Sequence, residues 1–478
     1  MKRIAVLAAM MGALLLVFGL SDRSGLIAPT PAEATETTTV FMYGNQPDGT
    51  IGPIAPNTAN EQLLALVIPP WCTNCYITRI EPDMVYWNDP NPALTNGMPA
   101  NYNSQTGQGI WLHHDNIVSN CIPGTIFLSG NERTVYQAPA GYGSYIGVPG
   151  SPDDPNNCNI QWFVGWHIHN SSATDSHKVK VKFTVTYRTA ETLNRLKSVG
   201  LNIATATNAQ YTIPAGYSDT HTCPSNCGTG ISTDTIITAA QQGQVIAGGG
   251  HVHDYGFGVS AFNVTRNQWI CTSVAGYGAT SRYLPTGGPG TPGHPAAANS
   301  QTLDTDYRLP SSPDDAYHIQ NMSTCSVSPA GSILCTGDVL RVHASYNNTS
   351  GGSITDAMGI LSLALPATPP DADLDGTWDG CDPSDTDIDE FTDRTEFLTG
   401  TQPNDACPDN PSDNAWPVDI NNDTFADISD IVFLTNNFGA AVPPTPARYN
   451  IAPDPPDGFV DISDIARMTN EFGGHCTP

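Results

Sequence analysis

A chain of 478 residues has room for about three domains. With only 18 Lys and Arg against 46 Asp and Glu, its formal charge is −28, which excludes nucleic acid as an expected partner, because phosphate binding depends on neutralisation by cations. The acid is concentrated: half of it lies beyond Pro366, where Arg394, Arg448 and Arg467 are the only basic residues. Those carboxylates need another counter-charge.

At the N-terminus, Lys2 and Arg3 precede an apolar run from Ile4 to Leu20 and a small-residue site at "PAEA". This is the layout of a secretory signal peptide, taken as residues 1–34. The alternative is an uncleaved anchor, although the run is short for a span; no other stretch reads as membrane-crossing, so none is expected after signal cleavage. The expected location is secreted, extracellular or at the cell surface. In that compartment twelve cysteines read as disulfides whose pairing the sequence leaves open.

Residues 36–366 are rich in Gly, Pro, Thr and Asn, with short strand-like runs between turn clusters. "KVKVKFTVTYR" alternates polar and apolar residues, the pattern of a strand with one face in water. The expected fold class is all-β, built of antiparallel sandwiches. Three histidine pairs stand out. In "GHVHDYG", His251 and His253 are two apart, share one face of a strand and can converge on one metal. "GWHIHN" holds His167 and His169 in the same spacing. "LHHDN" places His113 and His114 side by side, where a regular strand would point them to opposite faces, so they could serve one ion only at a bend or strand end. Copper, zinc and plain structural roles all remain open on this spacing alone.

Beyond Pro366 the carboxylates fall at metal-loop spacing. "DTDIDEFTDRTE" sets Asp385, Asp387, Asp389, Asp393 and Glu396 at positions 1, 3, 5, 9 and 12 of an EF-hand-like loop, with Glu390 where position 6 is normally Gly. "DADLDGTWDGCD" repeats the scheme with Asp371, Asp373, Asp375, Asp379 and Asp382. "DINNDTFADISDIVFLTNNFG" and "NIAPDPPDGFVDISDIARMTNEFG" form an internal repeat, each an Asp-rich loop followed by a short amphipathic helix. Calcium is the expected ion.

That last repeat, residues 417–478, resembles the type I dockerin module. Asp419, Asn421, Asp423, Asp427 and Asp430 match the loop in the first copy, and Asp457, Asp461 and Asp464 in the second; "APDPP" lengthens the second loop and leaves Asn450 and Asp454 open. Residues 371–410 resemble the calcium-binding repeats that connect bacterial surface modules. The resemblance implies a cohesin or surface scaffold as partner.

The body resembles the copper type II, ascorbate-dependent monooxygenases, the family of the peptide-amidating hydroxylase and dopamine β-monooxygenase. "HHDNIVSNC", "APAGYGSYIG", "WFVGWHIHNSS", "IPAGYSDTHTCPSNC", "GGHVHDYGFGVSAFNVTRNQWIC" and "GDVLRVHASYNN" followed by "DAMGILSLAL" carry the likeness in order. It implies two tandem jelly-roll-like sandwiches, residues 36–190 and 191–366, with two coppers facing an interdomain cleft. His113, His114 and His169 would hold one copper; His251, His253 and Met358 would hold the catalytic one, the thioether suiting Cu(I). Oxygen, ascorbate or a similar reductant and a small-molecule substrate would be consumed, and a C–H bond hydroxylated. Two family positions differ: Gly249 stands for an Arg and Ser362 for a Tyr that hold peptide substrates, which speaks against peptide amidation. His167 replaces a common Gln and could be either an alternative ligand or a donor that supports one. The competing reading is a non-catalytic copper- or zinc-binding surface module on a dockerin-like tail.

Overall fold

The computed structural model describes residues 35–100, 102–103, 108–119, 125–130, 133, 135–148, 161–189, 192–203, 211–217, 234–253, 255–277, 281–282, 319–326, 332–348 and 352–477. The expected signal segment lies outside them. The body is strand-rich, and the three α-helices found among the described residues all belong to the acidic tail.

The first apolar core lies between two antiparallel sheets. One sheet contains β1 (Thr35–Tyr43), and the other β2 (Thr58–Ile68). Along the chain follow β3 (Cys75–Tyr86), β4 (Gln108–Ser119), β5 (Thr125–Gly130), β6 (Tyr142–Ile146), β7 (Trp162–Asn170) and β8 (His177–Thr189). Hydrogen bonding orders the first sheet β1-β8-β3-β6 and the second β2-β7-β4-β5. In β8 the alternation holds: Val179, Val181, Phe183 and Val185 are fully buried, while the lysines between them are only half-buried. Facing them, β7 buries Trp162, Val164, Trp166 and Ile168. Its period of two therefore puts His167 and His169 on the opposite face, away from this core.

A second core is built the same way. It uses β9 (Asn194–Asn202), β10 (Asp234–Thr238), β11 (Ala247–Val252), β12 (Gly256–Asn263), β13 (Gln268–Tyr277), β14 (Thr324–Ser326), β15 (Val339–Tyr346) and β16 (Gly359–Pro366). One sheet runs β9-β16-β11-β14 and the other β10-β15-β12-β13. Leu201, Val252, Leu361, Leu363 and Leu365 from the first meet Val259, Ala261, Ile270, Leu340 and Val342 from the second. The two cores share a sheet. β9 pairs in parallel with β6, Asn194 opposite Tyr142 and Arg195 opposite Gly143, so hydrogen bonding runs unbroken from β1 to β14. The Arg195 guanidinium covers the Tyr145 ring at 3.8 Å across this join.

The glycines before His251 have a packing reason at one position. A Cβ on Gly250 would stand 2.3 Å from Val259 Cγ1 and 2.8 Å from Ser273 Cβ, so only hydrogen lets β11 approach β12 and β13. Gly249 lies opposite Ser362 across β11 and β16. The two positions that depart from the peptide-binding pattern are thus cross-strand neighbours.

The tail holds α1 (Asp393–Thr399), α2 (Ile428–Asn436) and α3 (Ile462–Asn470) around a small core of Phe391, Trp416, Val418, Ala426, Leu434, Ile451, Val460 and Met468. It is stapled to the body. Cys335, beside Ile333 and Leu334 in the second core region, bonds to Cys381 in the first Asp-rich loop, and Trp378 packs with Ile333 and Cys335. Cys407–Cys476 closes the tail on itself, and Cys72–Cys75 makes a short loop in the first core. No described cysteine is free.

Candidate metal centre

Regular pairing breaks at the adjacent histidines. Across β4 and β7, His114 lies opposite His167, but the next pair is Leu112 with Ile168. His113 is the extra residue of a β-bulge, which re-aims a side chain that would otherwise face the core. Both rings therefore emerge together, with Nδ1 of His113 and Nδ1 of His114 3.1 Å apart. The adjacency left open by the sequence is resolved by this bulge.

His167 and His169 complete the group on the first core. Ring centroids lie 4.5 Å apart for His113–His167, 5.3 Å for His113–His169 and 4.4 Å for His167–His169. Trp111 stacks on His169 at 4.5 Å and fixes its plane. Donor atoms of His113, His167 and His169 lie within 4.8 Å of one another. His167, whose role as a ligand the sequence left open, is part of this cluster. Burial and the neighbouring histidines push the His114 imidazole far below its usual range, which favours the neutral ring.

The second core supplies His251 and His253, whose rings are 5.1 Å apart on one face as the i, i+2 spacing requires. The resemblance implies two ligand sets on opposite walls of a cleft. In the structure His113 meets His253 edge to face at 4.2 Å. His113, His114, His251 and His253 are all buried. The six histidines form one contiguous cluster at the seam.

Met358 sits at the near end of β16. The register pairs His251 with Ile360 and Val252 with Gly359, so His253 and Met358 come next in line. The Tyr346 hydroxyl accepts from the backbone N–H of His253 at 2.9 Å and of Met358 at 3.2 Å, and donates to the Met358 carbonyl. One buried phenol thereby ties the two segments together.

Outside the histidines, the acidic clusters that could hold a metal ion are clearest in the loop 385–396. Asp385, Asp387 and Asp389 bring donor atoms within 4.8 Å, as do Asp371, Asp373 and Asp375 in the loop before it. In each, the first Asp accepts from the fifth and sixth backbone amides: Asp371 from Asp375 and Gly376, Asp385 from Asp389 and Glu390, Asp419 from Asp423 and Thr424. The ninth residue accepts from the second amide in the first two loops, Asp379 from Ala372 and Asp393 from Thr386. The sixth position is left-handed throughout, at Gly376, Glu390, Thr424 and Gly458; Glu390 adopts the turn that glycine normally makes. Both carboxylate oxygens of Asp387 and Glu396 and one of Asp389 are buried with no hydrogen-bond partner. Burial first and the surrounding aspartates second push Glu396 up to about 11, Asp389 to about 8 and Asp387 to about 6. Buried carboxylates gathered without donors fit a hard cation.

In the repeated pair of Asp-rich loops the last two aspartates of each loop have an added structural duty. Asp427 and Asp461 cap α2 and α3, each with a reciprocal bond to Asp430 or Asp464. Asp430 also accepts from the amides of Ile420 and Asn421, and Asp464 from those of Ile451 and Ala452. Asn421 donates to Asp423. The parallel places Asn450 at the start of the lengthened loop: with its side-chain amide turned so that the oxygen faces the Gly458 N–H, that oxygen accepts at 2.7 Å, as Asp419 accepts from Thr424. Asp454 instead accepts from the Thr392 and Thr395 hydroxyls at α1, while Asp457 accepts from Phe459 N.

The chain matches no protein-family model and no curated protein. Among solved structures it is similar to a recombinant peptide:N-glycanase F (PNGase F), with 11% identity over 71% of this chain and 97% of that one, at a TM-score of 0.31. It is also similar to the STIV MCP, with 9% identity over 70% and 96% of the two chains, at 0.24. Both likenesses are too distant to bear on function.

Proposed function

We propose that the chain is a secreted copper-dependent monooxygenase that hydroxylates a C–H bond of a small substrate with oxygen and a reductant such as ascorbate. The observation that carries this is the meeting of six histidines from two cores, with Met358 next in register to His253. A set of imidazoles and one thioether suits copper in both oxidation states, and copper held there would supply one-electron redox chemistry. His113, His114 and His169 would hold one copper and His251, His253 and Met358 the other, Trp111 would orient His169, and Tyr346 would fix the spacing of His253 and Met358. The cores are read as tandem jelly-roll sandwiches, and the tail as a calcium-stabilised dockerin-like unit for a cohesin or surface scaffold. Exposed apolar residues at matching positions of its two copies support a protein partner: Phe425, Ile428 and Phe438, then Phe459, Ile462 and Phe472.

One observation favours the non-catalytic reading, a copper- or zinc-binding module: His113 and His253 are in ring contact, whereas the resemblance implies ligand sets that face each other across a cleft. Metal content after copper reconstitution and dialysis, for wild type and His251→Ala, tests the centre, and oxygen uptake with ascorbate tests catalysis. Copper that falls in the variant together with uptake in the wild type is expected. Copper binding without uptake selects the module, and copper content indifferent to the substitution removes His251 from the centre.

A further inference from the structure

Residues directly opposite one another on adjacent antiparallel strands share a face of the sheet and lie about 4.5–5.5 Å apart at Cα. One such row crosses three strands here. His167 on β7 is opposite Glu61 on β2 and opposite His114 on β4. One donor atom from each of the three lies within 4.8 Å of the other two. The imidazole triad of His113, His167 and His169 meets the same criterion, so His167 belongs to both.

The two triads differ in chemistry. Three imidazoles suit copper as well as zinc, whereas a carboxylate in place of one imidazole turns the set toward zinc, cobalt(II) or iron(II) and away from soft copper(I), and three protein ligands leave a coordination position open. Placement adds to this. Glu61 is exposed while His114 is buried, so the charged ligand stands on the solvent side of the imidazoles, where a hydrated cation arrives. Its negative charge also offsets that of a divalent ion in a cluster of otherwise uncharged ligands.

We infer that Glu61, His114 and His167 form a second metal subsite for a borderline divalent cation, adjoining the imidazole triad and coupled to it through His167. This rests on the reading of the cluster as a metal centre, but on neither copper nor oxygen chemistry. The test uses the full-length chain and cobalt(II) as probe, its visible absorption reporting the ligand field, beside a separate copper(I) titration. Wild type is compared with Glu61→Gln and His169→Ala, all checked by far-UV circular dichroism. Glu61→Gln is expected to weaken cobalt(II) at least about tenfold, the lower end of what losing even a supporting residue costs, and to change its spectrum while copper(I) affinity holds. His169→Ala should do the reverse. A Glu61→Gln protein that binds cobalt(II) with unchanged affinity and spectrum, or a wild type that binds none, overturns the subsite. Cobalt(II) binding that depends on Glu61 in a protein without copper(I) affinity would uphold the subsite and sink the copper assignment alone.

Discussion

Glu396→Gln separates a buried carboxylate that waits for a cation from one that merely packs. The side chain is fully buried, with both oxygens lacking donors and Asp385, Asp387, Asp389 and Asp393 around it. Without calcium, the substitution replaces a carboxyl that burial and its aspartate neighbours force to take up a proton with a neutral group of the same shape, so the tail should melt at or above the wild-type temperature. With calcium the order reverses, because the closing ligand is gone. Extracellular calcium modules have dissociation constants of about 10⁻⁴–10⁻³ M, and ion at about 100 times that value stabilises by about 2.7 kcal/mol. In a unit of about 100 residues each kcal/mol moves the midpoint by about 4–8 °C, so this site is worth about 10–20 °C. The helical signal near 222 nm reports the tail, since every α-helix among the described residues lies there. The loop 371–382 retains its own aspartates, so the variant keeps a smaller calcium response. A wild-type tail indifferent to chelator, or equal calcium shifts in both proteins, would refute the reasoning.

Two further outcomes follow from the second core. Gly250→Ala forces a methyl into Val259 and Ser273; overpacking of this kind costs about 1–3 kcal/mol, and denaturant melts should show that loss together with reduced metal content, as β11 carries His251. Tyr346→Phe removes the hydroxyl that joins His253 to Met358; leaving buried N–H groups unpaired costs about 1–3 kcal/mol, and copper lost on dialysis should come from the His251/His253 side, with cobalt(II) binding at Glu61 unchanged.

What the sequence made legible followed from periodicity. The alternation in "KVKVKFTVTYR" gives the buried face of β8, and the two His-x-His spacings give shared faces, because a strand's period of two is local. The Asp spacing of "DTDIDEFTDRTE" likewise gives a loop whose carboxylates converge. What stayed hidden was cross-strand register. The bulge that turns His113 depends on how β4 meets β7, and Glu61 becomes a neighbour of His114 only through His167 between them. "TANEQLLALVI" holds no signal that singles out its glutamate. Nor did the chain disclose that the two ligand sets touch, since that distance is set by the packing of one core on the other. The Cys335–Cys381 bond was equally out of reach, as twelve cysteines admit many pairings.

That bond changes how the protein would carry load. A tail held by an anchored partner is joined to the body at two covalent points, the end of β16 at Pro366 and Cys335 ahead of β15. Pulled at Pro366 alone, β16 would be peeled from β11, its neighbour and the strand that bears His251. With the second tether, tension is divided between both sheets of the core, and the zipper of hydrogen bonds beside the histidines is spared.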